Sequence, residues 1–161
     1  MDRGPARTEA AGVYPRTFGK YTLLRHLAIG GMADVFLAHQ KGLAGFEKDC
    51  VIKRILPHLA QDAEFVQMFL DEARIVARLS HPNIVQIFDV GDVEGTYYIA
   101  MEHVHGEDIR ALVRRMKKEG HREFPLSHAL HIVSGVAAGL AYAHGKRDLD
   151  GTPLNIVHRD I

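Results

Sequence analysis

The stretch that decides the fold is LAIGGMADVFLAHQKGLAGFEKDCVIKRIL, residues 27–56. This stretch overlaps a predicted strand region, residues 18–55. There a rough period of two, typical of strands that turn one face to a core, is kept by Tyr21, Leu23 and Leu27, by Val35 and Leu37, and by Val51, Lys53 and Ile55. Glycine-rich segments interrupt this pattern at Gly30-Gly31 and again at residues 41–47. Because loops this short most simply join antiparallel neighbours, the stretch predicts three adjacent antiparallel strands.

The flanking sequence extends this pattern into a sheet and then into helices. Residues 62–80 carry apolar side chains every three or four positions and stop before Pro82, which predicts a helix. Two further strands are predicted over residues 84–90 and 96–103, with a turn over 91–95. A short amphipathic stripe covers 109–116, and a longer helix is expected over 127–144, with Ser127 as N-cap and Gly145 at its end. Five strands, one inserted helix and then further helices predict the α+β class.

Composition excludes several classes of protein. The 161 residues fit one domain, and 47% hydrophobic with 25% charged residues is typical of a globular chain. Twenty basic and twenty acidic residues give zero formal charge, which argues against a general nucleic-acid binder. Cys50 is the single cysteine and cannot form an internal disulfide, which suits a reducing compartment. No apolar run approaches the roughly 18 residues of a membrane span.

Two charged residues occupy positions that the pattern reserves for apolar ones. Lys53 alternates with Val51 and Ile55, so it shares their inward face. Glu72 has only apolar neighbours three, four or seven positions away, namely Phe65, Met68, Phe69, Ile75, Val76 and Leu79. We therefore expect the Glu72 carboxylate to lie in the packed face, where a buried charge requires a partner. Lys53 is the natural cation, either as a purely structural pair or for chemistry; a lysine that extends to solvent is the alternative.

The turn around Gly30 and Gly31 is the candidate anion site. Small residues there let backbone N–H groups approach a phosphate closely. The turn matches neither the Gly-Lys-Ser/Thr phosphate loop nor the dinucleotide fingerprint, which requires a strand-to-helix setting. A plain hairpin turn explains the same residues.

Taken together, six motifs resemble those of a known family. They are LAIGGMADV (27–35), VIK (51–53), Glu72 within FLDEAR, HPNIV (81–85), YYIAMEHVHGED (97–108) and His158-Arg159-Asp160. Their order and spacing resemble the front half of a eukaryotic-type protein kinase domain, closest to the bacterial serine/threonine kinases, over about residues 19–161. The resemblance implies a kinase-like N-lobe with a five-stranded antiparallel sheet and helix C, followed by the first helices of an incomplete helical C-lobe.

The resemblance also implies roles for individual residues. Lys53 is expected to contact the α- and β-phosphates of ATP, with Glu72 holding it, and Asp160 to orient the substrate hydroxyl and accept its proton. It implies a structural role for His158, and for Arg159 a contact with an activation-loop phosphate. Met101 falls at the gatekeeper position, Glu102 and Val104 at the backbone hydrogen bonds to adenine, and Asp108 at the ribose. The other expected ATP-binding residues belong to the glycine-rich loop and the roof over adenine: Leu27, Ala28, Gly30, Gly31, Met32, Ala33, Val35 and Val51.

The sequence departs from the family pattern in four places. Ala28 and Ala33 replace the outer glycines of the loop, and Val51 replaces the usual alanine two residues before Lys53. The link from Gly145 to Val157 is long, and its Asp150-Gly151 predicts a hairpin turn. The chain ends at Ile161, directly after Asp160, so no residue is assigned to a metal. Because the family uses Mg²⁺ to neutralise the transferring phosphoryl group, we expect negligible phosphoryl transfer by this polypeptide alone.

The resulting organisation is a flexible leader over 1–18, an N-lobe over 19–104 and the start of a C-lobe over 105–161. ATP is the expected cofactor, with Mg²⁺ in the intact family enzyme. The expected partner is a protein that carries a serine or threonine hydroxyl, in the cytoplasm, with no nucleic acid beyond ATP and no membrane span in this chain.

Other interpretations remain open at this stage. Eleven histidines, including His128 and His131 on one helix and His103 and His105 near a strand end, form no known metal motif. The basic residues near Lys117 and Lys118 are explained by a solvated helix face. A non-catalytic nucleotide- or partner-binding half-domain and a small-molecule phosphotransferase of related fold are the functional alternatives to a protein kinase.

Overall fold

The glycine-rich turn and the strands around it belong to one antiparallel sheet. In a computed structural model, which describes residues 13–42, 45, 47–121 and 123–158, this sheet has six strands in the order β1-β2-β3-β4-β6-β5. Their bounds are β1 Arg16–Phe18, β2 Tyr21–Ile29, β3 Ala33–Lys41, β4 Glu47–Ile55, β5 Ile87–Val93 and β6 Thr96–Glu102. Every neighbouring pair is antiparallel, which confirms the predicted sense of the sheet.

The first strand corrects the predicted count of five and lies inside the segment expected to be a leader. β1 pairs with β2 through a turn at Gly19, whose φ of 54° lies in the left-handed region. Phe18 is 9% exposed and packs edge-on against Tyr98, with ring centroids 5.5 Å apart. Three residues are too few to show a period of two, so the sequence pattern could not reveal this strand. The rest of the predicted leader, residues 1–12, lies outside the described residues.

Both faces of the sheet carry a core. One face holds an aromatic and aliphatic cluster that includes Phe18, Tyr21, Leu23, Phe36, Ala38, Cys50, Ile52, Tyr98 and Ala100. The other face holds Ala33, Ile55 and Ile99, and helix α1 (Ala63–Val76) packs against it through Phe69 and Ala73. Lys53 lies on the second face, because it alternates with Ile52 and Arg54 along β4 and pairs opposite Ile99.

Helix α1 is shorter than the predicted 62–80 and is only partly covered. Asp62 caps its N-terminus by accepting hydrogen bonds from the amides of Glu64 and Phe65. Of its side chains only Phe69 and Ala73 are buried. Met68 and Ile75 are 48% and 45% exposed. A narrow apolar strip therefore holds the helix to the sheet.

Two helices follow the sheet, α2 (Ile109–Lys118) and α3 (Leu126–Gly145). Pro125, rather than the predicted Ser127, precedes the first turn of α3, and it makes no side-chain capping bond. Its carbonyl accepts from the amide of Ala129, which is the first hydrogen bond of the helix. Proline is tolerated here because its φ suits the start of a helix and the first turn does not use its missing amide. After α3, the predicted turn at Asp150-Gly151 is present: Arg147 pairs with Pro153, and Gly151 has φ 86°.

Length and composition alone would allow α3 to cross a membrane, with a mean hydropathy of 1.3 over 18 residues. The expectation that no apolar run approaches the length of a membrane span is therefore wrong for this helix. The helix also packs closely on the chain between α1 and β5. A Cβ at Gly139 would lie 3.2 Å from the carbonyl oxygen of Asn83.

A polar group is built into the aromatic face of the sheet. One oxygen of Asp89, on β5, accepts hydrogen bonds from the hydroxyls of Tyr21 and Tyr98 and lies 2.9 Å from the amine of Lys20. Partial burial opposes ionisation of Asp89, but these donors outweigh it and hold its pKa below the ordinary value. Burial and Asp89 raise the pKa of Tyr98 to about 12.

Candidate active site

Lys53 and Glu72 form the ion pair that the sequence predicts. The amine of Lys53 donates to Oε1 of Glu72 at 2.7 Å, joining β4 to α1 across the second face of the sheet. The amine also lies 5.8 Å from the ring centroid of Phe69. Glu72 can therefore hold the Lys53 amine in one place while this amine still presents hydrogen-bond donors to an anion.

The surroundings of Glu72 correct the expectation of burial. The side chain of Glu72 is 49% exposed and that of Lys53 is 25% exposed, because Met68 and Ile75 beside Glu72 are themselves open to solvent. The apolar spacing identified the correct helix face, but spacing does not reveal whether another element covers that face. A pair this exposed contributes at most about 1 kcal/mol to folding.

Apolar side chains line the sheet next to Lys53. Val35 pairs opposite Lys53, which pairs opposite Ile99, and the neighbouring row is Leu37, Val51 and Met101. Residues directly opposite in antiparallel strands point to the same face. Four predicted positions, Val35, Val51, Lys53 and Met101, are thus brought to one surface, and Leu27 and Ala28 lie at an irregular point where β2 pairs with β3.

The glycine-rich turn closes the hairpin of β2 and β3. The amide of Gly30 donates to the carbonyl of Ala33 at 2.8 Å, so in this conformation that amide closes the turn. A Cβ at Gly31 would meet nothing within 4 Å, and neither glycine has a positive φ. Backbone strain therefore does not explain these glycines, and the space beside Gly31 is open. Met32 is partly exposed, and Ala33 is buried.

An ion pair that the sequence analysis missed supports this turn from the opposite face. Asp34 accepts from Nη2 of Arg54 at 3.2 Å, and both side chains are 12% exposed. Its other oxygen lies 3.4 Å from the ring of His26. The signal was available in the sequence, because Asp34 and Arg54 are charged positions that alternate with apolar ones on paired strands. They fix the base of the turn where β3 begins.

The end of β6 is tied to the residue that precedes β5. The amide of Glu102 donates to the carbonyl of Gln86, and the Glu102 carboxylate accepts from the Gln86 amide. Val104 is 62% exposed just beyond it. Asp108 caps α2, since its carboxylate accepts from the amide of Ala111 at 2.6 Å. A ribose contact by Asp108 stays a prediction, and the carboxylate would have to combine it with this cap.

The predicted catalytic Asp160 and its neighbour Arg159 lie outside the described residues. His158 is described, and it lines a cavity of about 930 Å³ between α1, α3 and the segment 154–158. Glu72 also lines this cavity, so the strand-and-helix site and the segment that leads to Asp160 share one space. Within the described part of the chain, no group of three or more His, Cys, Asp or Glu side chains is arranged to hold a metal ion.

A lysine held by a helix carboxylate, an apolar shelf and a glycine-rich hairpin lie together on one sheet. The family model of the protein kinase domain matches residues 21–161. The chain belongs to the protein kinase family.

Individual relatives agree on the family and differ in the acceptor that their names state. The chain is 49% identical over 153 residues to the tyrosine-protein kinase MasK of Myxococcus xanthus, covering 94% of this chain and 24% of that protein. It is 35% identical over 150 residues to the serine/threonine-protein kinase PknI of Mycobacterium tuberculosis, covering 92% of this chain and 24% of that protein. The chain thus spans about a quarter of the length of these curated relatives.

A solved structure supports the same fold. The crystal structure of a PknI kinase domain from Mycobacterium tuberculosis superposes with a TM-score of 0.61 at 35% identity. The superposition covers 86% of this chain and 52% of that one. This confirms the protein-kinase-like architecture of an N-lobe sheet with a helix, followed by the first helices of a C-lobe.

Proposed function

We propose that this chain supplies the ATP-binding part of a serine/threonine protein kinase that transfers a phosphoryl group from ATP to a protein hydroxyl. The observation that carries the proposal is the Lys53–Glu72 pair, with its 2.7 Å contact, beside the shelf of Val35, Val51 and Met101. Protein kinases use ATP and Mg²⁺, and a lysine paired in this way is the family's contact to the α- and β-phosphates.

The residues present fit a bound adenine nucleotide. Val51 and Met101 offer an apolar surface for the adenine ring, with Leu27, Ala28 and Val35 on the opposing strands. Backbone groups of Glu102 and Val104 are proposed to hydrogen-bond the adenine edge. Gly30, Gly31, Met32 and Ala33 are proposed to cover the phosphates, where the space beside Gly31 is open. Asp108 is proposed for the ribose hydroxyls.

Each charged residue has a distinct task in the proposed transfer. Glu72 holds the Lys53 amine in place, so that its charge offsets that of the phosphates without a reorientation at the moment of reaction. Asp160 orients the attacking hydroxyl and accepts its proton. A bound Mg²⁺ would supply neutralisation of the charge on the transferring phosphoryl group. No residue of this chain is assigned to the metal, and we propose that the 161-residue polypeptide alone transfers phosphate negligibly.

Nucleotide titration of the purified chain tests the proposed pocket. We expect weak binding of ATP that Lys53→Met reduces about tenfold, because a charge-assisted contact to phosphate is worth about 1.5–3 kcal/mol. Lys20→Met is the matched control, since Lys20 lies on the opposite face against Asp89. Equal affinity in the parent and Lys53→Met, or no binding by either, would refute the mapped site. Measurable Mg-ATP turnover that Asp160→Asn abolishes would refute the proposed inactivity of the isolated chain.

The acceptor is proposed to be serine or threonine, on the resemblance of His158-Arg159-Asp160 and HPNIV to serine/threonine kinases. MasK carries the name of a tyrosine kinase, so the acceptor needs a direct test. The gene product is isolated from its own cells, with a Lys53→Met strain as control, and its phosphoamino acids are separated. Phosphoserine and phosphothreonine that depend on Lys53 are expected, whereas Lys53-dependent phosphotyrosine would overturn this part of the proposal.

The surroundings are proposed to be cytoplasmic, where ATP is present and the free thiol of Cys50 stays reduced. We propose that α3 is a C-lobe helix and not a membrane span. The close approach of Gly139 to Asn83 supports this, because it packs the helix against the chain between α1 and β5. Recovery of the chain in the membrane fraction after an alkaline wash would contradict it.

A further inference from the structure

The long link after α3 folds into a rigid turn. Besides the pairing of Arg147 with Pro153, the amide of Asp148 donates to the carbonyl of Thr152 at 2.8 Å and the amide of Leu154 to the carbonyl of Lys146 at 3.0 Å. Leu149 at its tip is fully exposed. The turn therefore has little freedom of its own, and it holds Asp148 in a fixed place.

Asp148 joins this turn to the end of helix α1. Its Oδ2 accepts from Nη1 of Arg78 at 2.9 Å, and its Oδ1 accepts from the amide of Leu149 at 2.8 Å. The Leu149 amide and then Arg78 lower the pKa of Asp148 below its ordinary value, so the carboxylate is ionised at neutral pH. Because the Leu149 amide already restrains the Asp148 side chain, this side chain loses little further conformational entropy when it pairs with Arg78.

Helix α3 also contacts the chain that follows α1, at Ser80 and His81. The hydroxyl of Tyr142 accepts from the amide of Ser80 at 3.2 Å and from the amine of Lys146 at 3.1 Å. The rings of His81 and Tyr142 lie 5.2 Å apart. The chain that leaves α1 is thus fixed by both α3 and the turn.

Helix α1 needs such an anchor. Within it only Phe69 and Ala73 are buried, and Val66 and Leu70 pack at the edge of the same core. These contacts lie in the first three turns and leave the C-terminal end of the helix to other contacts. Arg78 follows Glu72 by six residues and lies just beyond the C-cap, Ala77. A displacement of this end therefore moves the carboxylate that holds Lys53.

We propose that Asp148, acting through Arg78, is a positioning residue that fixes the end of α1 and thereby the contact between Glu72 and Lys53. Its meaning for phosphoryl transfer rests on the proposed function. The contact itself can be followed without nucleotide.

The test measures how fast an acetylating ester modifies the amine of Lys53 in the 161-residue chain, by mass spectrometry of the labelled peptides. Glu72→Gln sets the rate for the broken pair. We expect Asp148→Asn and Arg78→Met each to raise the Lys53 rate about two- to fivefold, the range that a partly exposed ion pair can impart. The double variant should show no further increase, and Arg78→Lys should restore the parent rate.

Two controls separate positioning from a general loss of structure. Glu119→Gln breaks an exposed pair on α2, between Arg115 and Glu119 at 3.0 Å, and should leave the Lys53 rate unchanged. The buried thiol of Cys50 should stay unreactive in every variant. A Cys50 that becomes reactive together with Lys53 would mean unfolding and would overturn the positioning role.

The remaining outcomes are equally decisive. Unchanged Lys53 rates in Asp148→Asn and Arg78→Met, alongside a raised rate in Glu72→Gln, would overturn the proposal. If Glu72→Gln also leaves the rate unchanged, the pair that Asp148 is said to position is not formed in solution, and the proposal fails with it. Failure of the proposed function shows differently, as a parent chain that binds no ATP while its Lys53 rates follow the expected order.

Discussion

His39 shows how a single side chain couples two strands to pH. Its Nδ1 lies 2.8 Å from Oδ1 of Asp49 and its Nε2 lies 3.3 Å from Oε2 of Glu47. Only the doubly protonated imidazole can donate from both nitrogens. The hydrogen bond to Asp49 raises the pKa of His39 above its ordinary 6.5. Burial opposes this effect, and the contact with Glu47 adds to the increase.

A pH-dependent contribution to stability follows from this raised pKa. The stabilisation is fully present below pH 6.5, the ordinary value for the unfolded chain, and it is lost as the pH rises through the folded-state pKa. We expect His39→Gln to lower the melting temperature at about pH 5 and to have little effect at about pH 9. Thermal melts of both proteins at the two pH values measure this, with exposed His131→Gln as control. A loss that is the same at both pH values would contradict the assignment.

Some properties of the site residues could be predicted from the sequence and others could not. Lys53 and Glu72 could be paired from alternation on a strand and spacing on a helix, because both periods follow from backbone geometry. The exposure of the Glu72 side chain could not be predicted, since it depends on whether another element covers Met68 and Ile75. The cap formed by Asp108 was missed because a motif position suggested another task for the same carboxylate.

At the scale of elements, β5 and β6 depend on one glycine. Gly91 pairs opposite Tyr98, and a Cβ at this position would lie 2.7 Å from the Tyr98 hydroxyl oxygen and 2.9 Å from its Cζ. The missing side chain lets the ring lie flat enough for its hydroxyl to reach Asp89. A buried aromatic ring cannot move aside easily, so the close approach requires glycine at position 91.

Gly91→Ala should therefore destabilise the fold by about 1–3 kcal/mol, the usual cost of overpacking. Gly145→Ala is the matched control, because a Cβ there meets nothing within 4 Å; it should change stability by at most about 0.5 kcal/mol. Denaturant unfolding of the three proteins provides the comparison. Equal midpoints for Gly91→Ala and Gly145→Ala would show that Tyr98 does not pack as described.

The boundaries of the elements show where the spacing of apolar residues no longer predicts the structure. The strands β2 to β4 were predictable because loops rich in glycine separate clear alternations. Helix α1 ended at Val76 rather than at residue 80, since Arg78 and Ser80 take up contacts with Asp148 and Tyr142 instead. The start of α3 at Pro125 replaced the predicted Ser127 cap, because a serine near a helix start fits several positions equally well.

Considered as a whole, the described part of the molecule has a well-covered sheet and a sparsely covered α3. Only Gly139 and Ala143 of that helix are buried. Leu126, Leu130 and Val133 are 72%, 60% and 65% exposed, and their spacing places them in one stripe. A contiguous apolar stripe binds hydrophobic dyes more strongly than scattered apolar residues do.

The stripe gives a prediction for the isolated chain. We expect it to enhance the fluorescence of an anilinonaphthalene dye, and we expect Leu130→Gln together with Val133→Gln to remove at least half of that enhancement. Leu149→Gln serves as the control, because Leu149 is fully exposed but stands alone at the tip of a turn. Similar losses in both proteins would show that the dye does not report on the stripe.

The three donors that converge on Asp89 also restrict how strand β5 can align with its neighbour. β5 is the outermost strand beside β6, and outermost strands are the ones most prone to pair wrongly. A shift of β5 by one residue would carry the Asp89 carboxylate to the side of Ile55 and Ile99, away from Tyr21, Tyr98 and Lys20. An unpaired carboxylate among aliphatic side chains is far more costly than a lost apolar contact. The cluster thus opposes misaligned forms of β5, in which Asp89 would lose these three partners.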